Sequence, residues 1–163
     1  MVQAHEFKDA LKDFPAGVTI VTTADEHGAP IGATVSAFSS LSLDPPLVLV
    51  CLANWTRTGE AIRHHKAFAI HFLDATQGTL ARHFAADLED KFSGCSYTLN
   101  EAGVPCLDGC PLRLECSLHA EYEGGDHVIV VGRVERATRN DEFEPLVFVR
   151  RGFFALGSQL VEA

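Results

Sequence analysis

The sequence predicts a mainly β protein with accessory helices, arranged as an antiparallel barrel. At least six segments rich in β-branched residues are separated by turn chemistry, and helical periodicity is confined to three short stretches. No strict strand–helix alternation runs along the chain, as a doubly wound sheet would require. The 163 residues, 47% hydrophobic and 21% charged, suit one domain with a core of its own. A single unit over 1–163, with its core at about 7–156, is expected.

The elements follow from the residues in order. Phe7, Ala10, Leu11 and Phe14 repeat at helical spacing, and Pro15 stops them, so a short amphipathic helix is expected over 5–14. Val18–Thr23, Ile31–Phe38 and Leu47–Leu52 read as three strands, punctuated by Asp25-Glu26-His27-Gly28 and Asp44-Pro45-Pro46. Beyond Asn54 the pattern becomes helical to about His65, then a strand over Phe68–Leu73, then a helix over about Thr76–Leu88. Asp74 and Gln77 are spaced as a capping box ahead of that helix. Leu112–Glu121 and Val128–Thr138 flank Glu123-Gly124-Gly125-Asp126 as a hairpin, and Leu146–Val149 with Phe153–Leu156 adds a second pair.

Charge and motif content exclude several functions. Twenty-two acidic against thirteen basic side chains give a net charge of −9, the wrong sign for a non-specific binder of nucleic acid or anionic membrane. The longest apolar run, Leu47–Ala53, is far short of the roughly 20 residues that span a bilayer, and a cytoplasmic location is expected. Five cysteines without a paired C-x-x-C read as free thiols. His64, His65, His71 and His83 form no H-E-x-x-H, so no metal is expected. Neither a G-x-G-x-x-G after a strand nor a P-loop is present.

Three local patterns carry possible chemistry. Thr34 to Ser42 alternates small hydroxyl residues with apolar ones, which reads either as a half-buried strand entering a turn or as an edge offering hydroxyls and N–H groups to a flat polar ligand. Asn54-Trp55-Thr56-Arg57-Thr58-Gly59 opens a helix after an apolar strand. It is either an ordinary N-cap beside a solvated Arg or a phosphate site built on the positive helix end. His127, just after a predicted turn, is either a surface residue or an imidazole projected into a cleft.

Read together, Phe14-Pro15-Ala16-Gly17-Val18-Thr19-Ile20-Val21-Thr22, Thr34-Val35-Ser36-Ala37-Phe38-Ser39-Ser40-Leu41-Ser42-Leu43-Asp44-Pro45-Pro46-Leu47-Val48, Gly125-Asp126-His127-x-Ile129-x-x-Gly132-Arg133-Val134 and Pro145-Leu146-Val147-Phe148-x-Arg150 resemble the short-chain flavin reductase family. These are the reductase components of two-component flavin monooxygenases. Order and spacing agree from about Phe7 to Phe154.

The resemblance implies a split β-barrel with the flavin reductase-like, FMN-binding fold, usually a homodimer. It implies an enzyme, an NAD(P)H:flavin oxidoreductase that uses NADH or NADPH to reduce FMN or FAD and supplies a separate oxygenase. Carried over by position, Thr34, Val35, Ser36, Ala37, Ser39, Ser40 and Leu41 would contact the isoalloxazine and ribityl chain, with Cys51 and Leu52 beside them. Thr56, Arg57 and Thr58 would take the flavin phosphate, and Lys91 and Phe92 would border the flavin. His127 would contact the nicotinamide or the flavin edge as the catalytic residue, Pro15 and Gly17 would border the nicotinamide side, and Phe148 would be a further cofactor-binding residue. The chain departs from the family at His71, where Asn is frequent, at Phe148 and Phe153 in place of tyrosines, and at Arg151 in place of Gly. The competing expectation is a flavin carrier or oxygenase-docking subunit without turnover.

Overall fold

In the computed structural model, residues 2–140 and 142–157 are described. The elements are α1 (Ala4–Leu11), β1 (Ala16–Gly17), β2 (Thr19–Ala24), β3 (Pro30–Val35), β4 (Phe38–Leu43), β5 (Pro46–Ala53), α2 (Arg57–His65), β6 (Ala67–Phe72), α3 (Gly78–Ala85), β7 (Tyr97–Leu99), β8 (Pro105–Leu107), β9 (Leu112–Gly124), β10 (His127–Arg139), β11 (Val147–Val149) and β12 (Gly152–Phe154). Seven strands form one antiparallel sheet in the order β3-β2-β6-β9-β10-β5-β4, and β1-β11-β12 and β7-β8 form two small ones.

The two edges of the seven-stranded sheet, β3 and β4, are consecutive in the chain and separated only by Ser36 and Ala37. Two residues reach roughly 10 Å at full extension, so the sheet curls until its edges nearly meet, and the barrel is split at that point. The strand expected over 31–38 is therefore two strands with a break. The local signal is the run Ser36-Ala37, whose small side chains tolerate exposure at the corner.

Strand β2 is buried along its whole length because both of its faces are covered. Val21 packs inside the barrel with Val35, Val50, Phe68, Ile70 and Val130. Ile20 packs outward against Ala81 and Phe84 of α3. Its buried threonines avoid a desolvation penalty by donating to carbonyls: Thr19 to Val35 O at 2.7 Å, Thr22 to Pro105 O at 2.5 Å and Thr23 to Ala67 O at 2.8 Å.

The capping box expected at Asp74 and Gln77 is present, with a 3-10 turn at Ala75–Gln77 ahead of α3. That helix ends at Ala85 rather than Leu88 because Ala86 is extended (ψ 154°). The hairpin β7–β8 escaped the sequence reading because it is three residues per strand and lies in a Gly- and Ser-containing stretch. Gly132 sits at a register shift in β10, where an added Cβ would stand 2.4 Å from the buried Phe68 ring.

His71 is fully buried, and both ring nitrogens are used. Nδ1 lies 3.1 Å from Ile20 O, and Nε2 accepts the Leu107 N–H at 3.0 Å. The imidazole thus joins β6, β2 and β8, with the proton on Nδ1 as the only tautomer that satisfies both partners. Burial pushes its pKa down to about 4.

The unfolded imidazole titrates near 6.5 and the native one near 4. The unfolded chain therefore binds more protons in this window, and stability falls as pH drops through it, by an amount on the order of 3 kcal/mol. Urea denaturation at pH 7.5 and 4.5 is expected to show that loss. His71→Leu should lower stability at pH 7.5 by about 2 kcal/mol while flattening the pH dependence. Gly132→Ala should cost about 1–3 kcal/mol in the same assay through overpacking against Phe68.

Candidate functional site

A cluster of polar side chains lies where β5 hands over to α2. Ala53, the last residue of β5, is paired with His127, the first of β10. Asn54 ties the β9–β10 hairpin tip to this point: its N–H donates to Asp126 O at 3.0 Å and its Nδ2 to Gly125 O at 2.9 Å. Gly125 takes φ 77°, a left-handed conformation that glycine adopts without strain, and so closes the hairpin.

Thr56 turns the chain into α2. Its N–H and its hydroxyl both donate to Ala53 O, at 2.9 and 2.8 Å. The hydroxyl oxygen also accepts no first-turn N–H, so α2 has no side-chain cap at Thr56. The first turn of the helix, at Arg57, Thr58 and Gly59, keeps its unpaired N–H groups and the positive end of its dipole available. Gly59 in that turn faces Val128 and Leu52, which an added Cβ would meet in ordinary van der Waals contact at 3.6 and 3.9 Å.

Two recesses flank this turn. The first, about 470 Å³, lies between Pro30–Ala33, Thr56–Thr58 and the segment Ala85–Glu89 with Lys91. The second, about 780 Å³, is lined by Ala53–Arg57, Glu60, Arg63, Glu123, Gly125 and His127 among others. Trp55, Thr56 and Arg57 form the crest shared by both.

Lys91 borders the first recess, but its Nζ donates to Phe84 O at 2.9 Å. Burial pulls its pKa down, the nearby Arg57 charge adds to this, and Asp87 opposes it. In the second recess His127 Nδ1 is 2.7 Å from Asp126 Oδ1. That bond from His127, with the charge attraction between the two, holds the Asp126 carboxyl below the usual carboxylate range. Trp55 meets the His127 ring edge-on, with centroids 6.1 Å apart.

The structure brings Thr56, Arg57, Thr58 and Lys91 to one recess and His127 to its neighbour, and it distributes the other expected residues elsewhere. Ser36, Ala37, Ser39, Ser40 and Leu41 are exposed at the barrel split and along edge strand β4. The Thr34 hydroxyl donates to Ala81 O at 2.7 Å, and the Val35 side chain is in the core. Cys51 is half-buried with its N–H on Ala37 O at 2.9 Å, and Leu52 is buried. Phe92 packs in the core, edge-on to Phe84 at 5.1 Å. Pro15, Gly17 and Phe148 lie at the small β1-β11-β12 sheet, and none of them lines either recess. Asn54, Trp55 and Asp126 stand in motifs legible from sequence but carry no roles of their own there, because those roles depend on the β5–β10 pairing.

Cysteine nucleophiles are poorly placed. All five thiols are free, and burial pushes Cys110 up to about 11 and Cys116 to about 12. Among the described residues there is no group of three metal-ligating side chains and no helix long and apolar enough to cross a membrane.

The site fits a phosphorylated planar ligand: phosphate donors come from an uncapped helix end, two threonines and a guanidinium, beside an open recess holding an imidazole. Residues 11–157 match the family model described as a flavin reductase like domain. A "Probable flavin reductase" of Rhizobium meliloti (strain 1021) is 42% identical over 90% of this chain, which spans about half (47%) of that protein's length. "FMN reductase (NADH) SmoA" of Agrobacterium fabrum is 41% identical over 89% of this chain and 82% of its own. Among solved structures, the NADH:FAD oxidoreductase SgcE6 of Streptomyces globisporus C-1027, in complex with NAD and FAD fragments, superposes with a TM-score of 0.90. It is 35% identical and covers 99% of both chains.

Asn54→Ala would release the hairpin tip from the β5 end. The expected outcome is a stability loss of about 1 kcal/mol and faster amide exchange confined to residues 124–128, read by hydrogen-exchange mass spectrometry.

Proposed function

The chain belongs to the flavin reductase like domain family, and on that premise we propose that it is an NAD(P)H-dependent flavin reductase. It transfers hydride from NADH or NADPH to FMN or FAD and supplies reduced flavin to a separate monooxygenase. What carries this is the uncapped first turn of α2, with Thr56, Arg57 and Thr58 in one recess and His127 in the next. When bound, the flavin supplies the ring that accepts the hydride given up by the reduced nicotinamide.

The protein's part is positioning. The α2 N-terminus and the Thr58 hydroxyl hold the flavin phosphate by charge-assisted hydrogen bonds, and the Thr56 hydroxyl joins them by turning its proton from Ala53 O to the phosphate. The exposed backbone at Ser36 and Ala37 lies along β5, joined to Cys51 by the bond from its N–H to Ala37 O. From there it supports the ring system and the negative charge that develops on it. His127, with Nδ1 engaged by Asp126, offers Nε2 to the nicotinamide or to a proton in transit. Pro15 and Gly17 border the reductant from the small sheet, where the cofactor-binding candidate Phe148 pairs with Ala16.

The chain acts as a single domain and as a homodimer in the cytoplasm. The apolar side chains Phe7, Leu11 and Phe14, on and just after α1, support association, since each is more than half exposed.

The test is absorbance decay of NADH and NADPH with purified protein, with and without FMN, FAD and riboflavin. Flavin-dependent oxidation is expected, and flavin binding without oxidation would instead indicate a carrier. His127→Ala should slow flavin reduction in stopped flow by about tenfold or more, with flavin Kd nearly unchanged. Replacing Thr56 and Thr58 together by Ala should raise the Kd of FMN by about tenfold and leave riboflavin unaffected. Equal losses for FMN and riboflavin would remove the phosphate assignment.

A further inference from the structure

Trp55 is the chain's single tryptophan and is 75% exposed, although it belongs to a loop that is tied down on both sides. Asn54 binds the loop to the β9–β10 tip, and the two bonds from Thr56 to Ala53 O close it. The backbone that carries the indole is thus fixed, while the indole itself is not packed. Its ring contact among the described residues is the edge of His127, and it forms the crest between the two recesses. Neither core packing nor turn chemistry accounts for a large aromatic side chain in this position, since the turn is made by its neighbours.

The surroundings define what such a surface could take. Trp55 directly precedes Thr56, Arg57 and Thr58, so the indole face lies within three residues, roughly 10 Å of chain, of the phosphate donors of α2. Arg63 in the second recess is engaged with Glu121 at 2.9 Å, while Arg57 makes only a long 3.4 Å bond to Glu89 O. A flat π-surface next to phosphate donors, above a recess of about 780 Å³, matches a purine joined through its ribose to a phosphate. Indole stacks any base face, and a neighbouring guanidinium adds to it.

Resting on the reductase reading, we propose that Trp55 is the stacking platform for the adenine ring of a dinucleotide cofactor. It thereby makes this site favour adenine dinucleotides over their mononucleotide counterparts. The adenine belongs either to FAD or to the nicotinamide dinucleotide, which share this chemistry.

Because the chain has one indole, its fluorescence reports on this position alone. Titration of the purified protein with ADP is expected to quench Trp55 emission to saturation, whereas ribose 5-phosphate leaves it unchanged. Calorimetry then separates the sources, using Trp55→Ala and, as the aromatic control, Trp55→Phe. If FAD is the source, Trp55→Ala raises the Kd of FAD by about tenfold or more and leaves FMN unchanged, and Trp55→Phe restores most of the affinity. If the reductant is the source, the same loss appears for NAD+ against nicotinamide mononucleotide, with FAD and FMN unaffected.

Absence of quenching by ADP overturns the proposal. So does equal weakening of FAD, FMN and riboflavin, which would put the indole against the isoalloxazine. A blue shift of the emission that depends on protein concentration without nucleotide would also overturn it, by assigning the indole to a contact with a second copy. None of these measurements needs turnover, so a failure of NADH oxidation and a failure of stacking are read separately.

Discussion

The sheet's two edge strands follow one another in the chain with only Ser36 and Ala37 between them. A seven-stranded sheet under that constraint cannot lie flat. It must roll until β3 and β4 approach, and it cannot pair them fully because the connecting residues turn the corner. The split is therefore set by connectivity, and it leaves exposed backbone at Ser36 and Ala37, within the reach of β5. The buried β2 strand and the three-way linkage through His71 hold the wall next to edge strand β3, where the small β7–β8 hairpin docks.

The site inherits its geometry from the same closure. Strand β5 is paired with β4 on one side and β10 on the other, so its C-terminal end fixes both the loop that opens α2 and the position of His127. Asn54 and Thr56 spend their hydrogen bonds on that junction instead of capping the helix. A helix start left uncapped costs about 1 kcal/mol of stability, and what it leaves in return is a set of N–H donors on the crest between the two recesses. For a reaction whose chemistry resides in two cofactors, preorganised donors of this kind are what a protein has to provide.

Local pattern in the sequence revealed the elements with a period or a cap of their own. The α1 stripe, the Asp74 capping box, the β9–β10 hairpin and the position of His127 at a strand start are all present. The break at Ser36 was hidden because small residues suit a strand and a corner alike, and the decision rests with a partner strand far away in sequence. Thr34 and Phe92 show the same limit from the other direction. Their types suit a ligand contact, yet the hydroxyl of Thr34 goes to Ala81 O and the ring of Phe92 goes to Phe84. The parts played by Asn54, Trp55 and Asp126 arise only once β5 and β10 are side by side.

The proposed function requires that the uncapped α2 N-terminus hold a flavin phosphate. A crystal structure of the protein with FMN tests it most directly. The phosphate oxygens are expected within about 2.7–3.2 Å of the first-turn N–H groups of α2 and of the Thr56 and Thr58 hydroxyls, with the ring system extending towards Ser36 and Ala37. A phosphate bound away from this turn, with the first-turn N–H groups facing only solvent, would contradict it.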